Sequence, residues 1–310
     1  MSSKKWSILA AILVTLLAPS AIFLLTTAAV AGSDPSHFPN IELITHQGKK
    51  VHFYDDLIKG KIVAIELIYT SCQYACPLET ARLAQVQKKL GSRVGSDIFF
   101  YSISIDPEHD TPAVLRTYME KYHVGPGWTF LTGKKKDIDF LSQKLGLYSD
   151  PSINKDGHMP YILIGNEATG QWMRGSATDN PSFQARMIGD FLDNFKHANL
   201  AADKTQGDGQ PLATFDKGKY LFGKQCIACH TIGHGDNIGP DLAGVTRSRE
   251  RQWLLRMIQK PNELFDEHDP IATVLLKKYK GIRMPSGLVG DLDVAYILSY
   301  LEAQSGEQGK

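Results

Sequence analysis

A chain of 310 residues holds about two domains once an N-terminal export segment is set aside. Its 34 basic and 33 acidic residues leave a formal net charge of +1, which excludes a strong electrostatic attraction to nucleic acid or an acidic partner. The hydrophobic content of 43% is ordinary for a globular protein. The four cysteines fall in two tight pairs, Cys72/Cys76 and Cys226/Cys229. Because none remains for a long-range structural disulfide, the pairs are predicted to form functional sites.

The first 31 residues have the composition of an export segment. Lys4 and Lys5 precede an almost uncharged stretch at 6–31, which is long enough to span a bilayer. The stretch ends in Ala29-Val30-Ala31, a small-x-small pattern typical of signal-peptide cleavage. We therefore expect either a cleaved signal peptide or a retained membrane anchor. In both cases the mature part is predicted to lie in the periplasm, soluble or anchored to the inner membrane.

Between residues 38 and 196 the sequence pattern alternates between strand and helix. The predicted strands are a hairpin at 41–45 and 51–53, then 62–69, 98–105, 161–164 and 171–173, with a further short element at 128–131. The predicted helices are 78–90, one that starts at Asp110-Thr111-Pro112, 138–145 and 183–195. This alternation predicts an α/β layer fold with parallel strands.

The first cysteine pair follows the predicted strand 62–69 and precedes a helix. The order of hairpin, strand, cysteine-bearing turn, helix, strand and helix resembles a thioredoxin fold. Such a turn places a thiol at a helix N-terminus, where the helix dipole stabilises the thiolate form.

Three residues separate Cys72 from Cys76, and Pro77 follows. On a helical turn, side chains four apart have Cβ atoms about 5–6 Å apart, whereas a disulfide needs a Cβ separation nearer 3.8 Å. Two thiolates at this spacing can converge on one metal ion, and soft thiolate ligands favour Cu(I), with zinc also possible. A local distortion would still permit the disulfide, so the spacing alone leaves both states open.

The Cys-x-x-x-Cys-Pro motif and the segment 105–112, Ile-Asp-Pro-Glu-His-Asp-Thr-Pro, resemble the Sco/SenC family over residues 38–196. That resemblance implies a copper protein that helps to assemble the dinuclear copper centre of cytochrome c oxidase. It implies one copper ion on Cys72, Cys76 and a histidine just before a late strand, a position that His158 matches. The implied partner is the copper-bearing oxidase subunit, with other periplasmic copper or redox proteins as further partners.

The sequence departs from the family pattern around His158. Gly157 stands where the family usually has an aspartate, with Asp156 one position earlier, and Met159-Pro160 follows. Pro160 is a candidate for the cis-proline that thioredoxin folds place beside their thiols. If Pro160 is cis, thiol exchange at Cys72 and Cys76 gains support relative to metal binding.

Residues 197–211 are small, polar and glycine-bearing, and they are predicted to form a flexible linker. Such a linker of roughly sixteen residues spans on the order of 20–24 Å. It allows transient docking of the next domain near the copper loop without a fixed interface.

Cys226-Ile227-Ala228-Cys229-His230 is an attachment signature for a c-type haem. Its two thiols add to the two haem vinyl groups, and His230 then lies beneath the iron. With the loop 237–242 and Met284-Pro285, residues 212–304 resemble a small all-α class I cytochrome c domain. The resemblance implies Met284 as second axial ligand, and His–Met ligation suits electron transfer rather than oxygen chemistry.

Together these features predict a copper chaperone for cytochrome c oxidase with a fused haem module that reduces the copper or the cysteine pair. Two alternatives stay open. The first is a periplasmic thiol-disulfide oxidoreductase that uses a redox-active Cys72/Cys76 dithiol. The second is a haem electron carrier whose thioredoxin-like domain only docks to a partner.

Overall fold

The computed structural model describes residues 38–73, 75–149, 159–194, 196 and 216–307. The predicted export segment at 1–31, the predicted linker at 197–211 and His158 lie outside these residues. Within the described part of the chain, no helix is both long enough and apolar enough to cross a bilayer.

The first domain is built on a seven-stranded mixed sheet with the order β2-β1-β5-β4-β3-β6-β7. The strands are β1 (Glu42–Thr45), β2 (Lys50–His52), β3 (Ile62–Ile68), β4 (Ile98–Ser104), β5 (Trp128–Gly133), β6 (Tyr161–Asn166) and β7 (Gln171–Ser176). Only the central β3, β4 and β5 run parallel, while β1, β2, β6 and β7 pair antiparallel to their neighbours.

The predicted hairpin of β1 and β2 is confirmed. The expectation of parallel strands is correct for the centre of the sheet and wrong for β6 and β7, which pair antiparallel. Short turns that contain Gly48 (φ 82°) and Gly170 (φ 68°) reverse the chain between β1 and β2 and between β6 and β7. Tight turns of this kind join antiparallel strands, whereas parallel strands need a longer crossover connection.

Helices cover both faces of the sheet. They are α1 (Cys76–Leu90), α2 (Pro112–Lys121), α3 (Lys135–Lys144) and α4 (Pro181–Arg186), with one π-helical turn at Phe53–Ile58 and another at Met187–Phe191. All seven residues of β3 are buried, and alternate ones enter different cores because successive side chains of a strand point to opposite faces. Ile62, Ala64 and Ile68 pack in the core with α1 and α2, whereas Val63, Ile65 and Leu67 pack with α3. The predicted thioredoxin-like α/β fold is confirmed.

The second domain is helical, as predicted. Its helices are α5 (Lys217–Gln225), α6 (Val245–Ser248), α7 (Arg251–Gln259), α8 (Pro261–Asp266), α9 (Pro270–Lys278) and α10 (Asp291–Glu307). Helices α5 and α10 pack through a small core formed by Leu221, Phe222, Ile297 and Leu301. Their backbones approach closely at Gly218, where an added Cβ would lie 2.2 Å from the Tyr296 carbonyl oxygen.

The substitution Gly218→Ala is expected to destabilise the cytochrome domain by about 1–3 kcal/mol, because the new methyl group forces α5 away from α10. Gly223→Ala is the matched control in the same helix, since its Cβ would meet nothing within 4 Å. The control is expected to be neutral or to stabilise by up to about 1 kcal/mol. Denaturant unfolding followed by helical circular dichroism measures both, and equal effects would contradict the close-packing assignment.

Candidate metal and haem sites

The first cysteine pair lies where β3 ends and α1 begins. Cys76 is the first residue of α1 and is fully buried, whereas Cys72 retains 8% of its exposure. Cys72 precedes the helix, and its backbone N–H donates to the Tyr69 carbonyl at 3.2 Å. The spacing of a regular helix therefore does not apply, and the turn brings the two thiols into hydrogen-bond contact.

Burial raises the pKa of the Cys76 thiol well above its usual value, and the hydrogen bond with Cys72 raises it further. The expected stabilisation of a thiolate by the helix N-terminus is thus outweighed by desolvation. Without a cation, Cys76 is a neutral thiol. A bound metal ion is one source of the positive charge that would make it a thiolate.

A buried carboxylate holds the cysteine turn in place. Asp110 is fully buried and accepts hydrogen bonds from the Thr70 backbone N–H at 3.1 Å, from the Thr70 hydroxyl and from the Ser104 hydroxyl at 2.6 Å. Asp110 therefore connects Thr70, which lies two residues before Cys72, to Ser104 at the end of β4. Sequence reasoning places Asp110 at a helix start and in the family-like segment 105–112, but it does not predict these contacts, because Thr70 lies 40 residues away in sequence.

The third predicted copper ligand, His158, lies outside the described residues. Within the described chain no three His, Cys, Asp or Glu side chains form a potential metal cluster, so the triad of Cys72, Cys76 and His158 stays a prediction. The described chain resumes at Met159, before β6, whose Ile162 pairs with Glu66 near the end of β3. The peptide bond that precedes Pro160 is trans, so the cis-proline prediction is wrong.

In the second domain, one cavity brings the four predicted haem residues together. Cys226, Cys229, His230 and Met284 all line it, and its volume is about 1350 Å³ counted with its open mouth. Much of the wall is apolar, including Phe222, Leu242, Leu254, Ile258, Leu276 and Ile297. Burial raises the pKa of each cysteine thiol to about 12. Neither thiol forms a disulfide.

The geometry of His230 suits an iron ligand. Its Nδ1 lies 2.9 Å from the Pro240 carbonyl oxygen, an acceptor that fixes the proton on Nδ1 and leaves Nε2 free to bind a metal. Burial lowers the pKa of His230, which favours the neutral form that ligates. A Cβ at Gly239 would lie 2.7 Å from Cε1 of the ring, so only glycine leaves the imidazole in this position.

A second carboxylate organises the loop around His230. Asp241 accepts backbone hydrogen bonds from Ala243 and Gly233, both at 2.8 Å, and from Gly235. These bonds, that from Ala243 foremost, hold the pKa of Asp241 far below its ordinary value. The loop thereby fixes Pro240, whose carbonyl orients His230. Two thiols at the cavity, an oriented neutral imidazole and a thioether in the wall together fit a covalent haem.

The two sites meet at an interdomain interface. Pro77, next to Cys76, lines the haem cavity, and Ala228 and Ile238 belong to the same apolar core as α1. From α1, Arg82 donates to the Gly223 carbonyl at 3.1 Å and Gln85 donates to the Ile227 carbonyl at 3.2 Å. The described parts of the two domains thus share a packed interface. The sequence analysis allowed transient docking and did not predict this interface.

Comparison with known families identifies both domains. Residues 33–164 match the SCO1/SenC family, and residues 215–305 match the cytochrome c family. The chain joins a SCO1/SenC domain to a cytochrome c domain. The predicted family resemblance is confirmed in both parts. A cytochrome c domain carries covalent haem c, so this predicted cofactor is also confirmed, while its axial ligands stay predictions.

Individual proteins are similar to this chain over part of its length. The chain is 33% identical over 116 residues to the SCO1 protein homolog of Bacillus subtilis, which is 36% of this chain and 58% of that protein. It is 27% identical over 130 residues to a putative copper-binding protein of Stutzerimonas stutzeri, covering 42% of this chain and 62% of that protein. The chain therefore spans 58–62% of the length of these curated relatives. A crystal structure of a SCO1/SenC family lipoprotein from Bacillus anthracis is 24% identical, with a TM-score of 0.44 and coverage of 50% of this chain and 94% of that one.

Asp110→Asn is expected to lower the free energy of unfolding of the SCO1/SenC domain by about 1–3 kcal/mol, because an amide cannot accept all three buried hydrogen bonds. Asp106→Asn is the control, since that partly exposed carboxylate pairs only with the exposed His109. It should change stability by less than about 0.5 kcal/mol. Urea denaturation compares the two, and similar losses would show that Asp110 has no special role.

Met284→Ala is expected to abolish the sulphur-to-iron absorption band at the red edge of the oxidised visible spectrum. Met257 also lines the haem cavity and provides the control, because Met257→Leu should leave the band in place. Persistence of the band in Met284→Ala, or its loss in Met257→Leu, would show that Met284 is not the sixth ligand.

Proposed function

We propose that this protein binds copper at Cys72 and Cys76, with His158 as third ligand, and delivers it to the copper-bearing subunit of a cytochrome c oxidase. The observation that carries the proposal is the pair of thiols in hydrogen-bond contact at the start of α1, inside a SCO1/SenC domain. Two thiolates suit Cu(I). The similarity to a putative copper-binding protein agrees with this chemistry.

The residues around the pair suggest how copper enters and leaves. Cys76 is fully buried, so Cys72, which retains 8% exposure, is the thiol that meets an incoming ion first. Asp110 keeps the backbone at Thr70 fixed while the ligands change. Copper binding must displace the thiol protons, and the high pKa of Cys76 makes that step depend on the metal.

The proposal includes a redox role for the cytochrome domain. A haem held by Cys226, Cys229 and His230 would supply one electron at a time, which matches the one-electron reduction of Cu(II) to Cu(I). Reduction of a Cys72–Cys76 disulfide takes two electrons, so Cu(II) is the simpler acceptor. Pro77 supports this role because one peptide bond joins this residue of the haem-cavity wall to Cys76.

The location of the protein is part of the same proposal. The predicted export segment at 1–31 and the haem attachment signature both favour the periplasm, with the segment cleaved or retained as an anchor in the inner membrane.

A thiol-disulfide exchange function is the second candidate, favoured by the contact between the Cys72 and Cys76 thiols. Copper binding separates the two functions. A chaperone holds copper tightly after haem incorporation, whereas an oxidoreductase is metal-free and exchanges its dithiol rapidly with small disulfides.

Titration of the haem-loaded protein with Cu(I) and Cu(II), against a competing chelator, is expected to show about one tightly bound copper ion. Cys72→Ser and Cys76→Ser should weaken it strongly, because loss of one of three ligands destroys the coordination geometry. His158→Ala should weaken Cu(II) more than Cu(I), since imidazole suits the harder ion.

Two substitutions near the site serve as controls for the copper titration. Ser71→Ala removes the exposed hydroxyl beside Cys72, and His109→Ala removes an exposed imidazole that pairs with Asp106. Both should leave binding unchanged. Unaltered copper stoichiometry and affinity in Cys72→Ser and Cys76→Ser would refute the copper site, and an unaltered Cu(II) spectrum in His158→Ala would remove that ligand.

A further inference from the structure

The interdomain interface contains a buried positive charge beside the haem attachment site. Arg82 belongs to α1 of the SCO1/SenC domain, yet it is only 3% exposed because the cytochrome domain covers it. Its guanidinium acts on both haem cysteines, opposing the effect of burial on the pKa of Cys226 and Cys229. The arginine lies beside the haem attachment motif, because Gly223, whose carbonyl it contacts, is three residues before Cys226.

Arg82 remains charged in this position, and its charge is poorly compensated. Burial lowers the pKa of Arg82, but an arginine starts from a value above about 12 and stays protonated at neutral pH. One guanidinium nitrogen donates to the Gly223 carbonyl, while the buried Nε has no hydrogen-bond partner. No carboxylate in the described part of the chain forms an ion pair with Arg82.

The contact with Gly223 explains why the charge is tolerated there. Gly223 lies in the last turn of α5, where the final carbonyl groups lack intrahelical partners. The negative end of the helix dipole lies at the same place. A cation from the other domain satisfies one of these carbonyls. Leu78, Arg82 and Gln85 have the i, i+4, i+7 spacing of one helix face, so α1 presents Arg82 and Gln85 together to the end of α5 and the haem motif.

We propose that Arg82 is a positioning residue for the haem domain that also raises the haem reduction potential across the domain boundary. The ferric state carries one more positive charge than the ferrous state, so a nearby buried cation disfavours it. The effect is strong because a protein interior screens charge much less than water does. This inference needs only the attached haem and is independent of whether the haem reduces copper.

The physical consequence is that the SCO1/SenC domain raises the reduction potential of the haem attached to the cytochrome domain. With α5 docked on α1, the haem is kept reduced at potentials that would oxidise it in a separated cytochrome domain. The same helix, α1, then carries both Cys76 of the thiol pair and the Arg82 charge that acts on the haem.

The test is a spectroelectrochemical titration of the full-length, haem-loaded and copper-free protein. Arg82→Gln removes the charge but can still donate to Gly223, and it is expected to lower the midpoint potential. A tenfold fall in the ratio of ferrous to ferric haem at a given applied potential corresponds to about 59 mV, and we expect a shift of that order. Arg82→Lys should restore most of the potential.

Gln85→Met is the matched control, because it removes the other interdomain hydrogen bond without changing the charge. It should leave the potential at the wild-type value. Gln85→Lys adds a cation on the same helix face and should raise the potential, which keeps the proposal testable if Arg82→Gln fails to incorporate haem. An unchanged potential in both Arg82→Gln and Gln85→Lys would overturn the proposal. Equal lowering by Arg82→Gln and Gln85→Met would also overturn it, since docking rather than charge would then be responsible.

Discussion

Both functional sites depend on one helix, α1. Its first residue, Cys76, belongs to the thiol pair, and Arg82, six residues later, contacts the end of α5. A helix rises about 1.5 Å per residue, so these two positions are about 9 Å apart along its axis. Because a helix packed on a sheet is rigid over that length, the position of the cysteine pair and the position of the haem motif are fixed relative to the same element.

Two carboxylates have parallel roles at the two sites. Asp110 holds the turn before Cys72, and Asp241 holds the loop that orients His230, each by accepting several hydrogen bonds from groups that a turn leaves unpaired. Neither carboxylate is itself a predicted ligand. At Cys72 and at His230 the backbone is thus held by hydrogen bonds before any metal or haem binds, which reduces the ordering cost of binding.

Local sequence signals predicted the parts of the structure that depend on local physics. The apolar run at 62–69 predicted the buried strand β3, and Thr111-Pro112 predicted the start of α2, where the Thr111 hydroxyl accepts from the Val114 N–H. The haem motif identified its own residues because their chemistry requires fixed spacing. Long-range features could not be predicted in this way. The pairing of β3 with β6, the hydrogen bonds from Thr70 to Asp110 and the contact of Arg82 with Gly223 join residues 40 to 141 positions apart.

The proposed function depends most on electron transfer from the docked haem to copper bound at the cysteine pair within one molecule. Stopped-flow mixing of Cu(II) with the fully reduced, copper-free protein tests it most directly, with haem oxidation followed by absorbance. Once copper is in excess and bound, intramolecular transfer gives a first-order rate constant for haem oxidation that does not change with protein concentration, and the oxidation is lost in Cys72→Ser. No haem oxidation, or an observed rate constant that rises in proportion to protein concentration, would rule out intramolecular transfer.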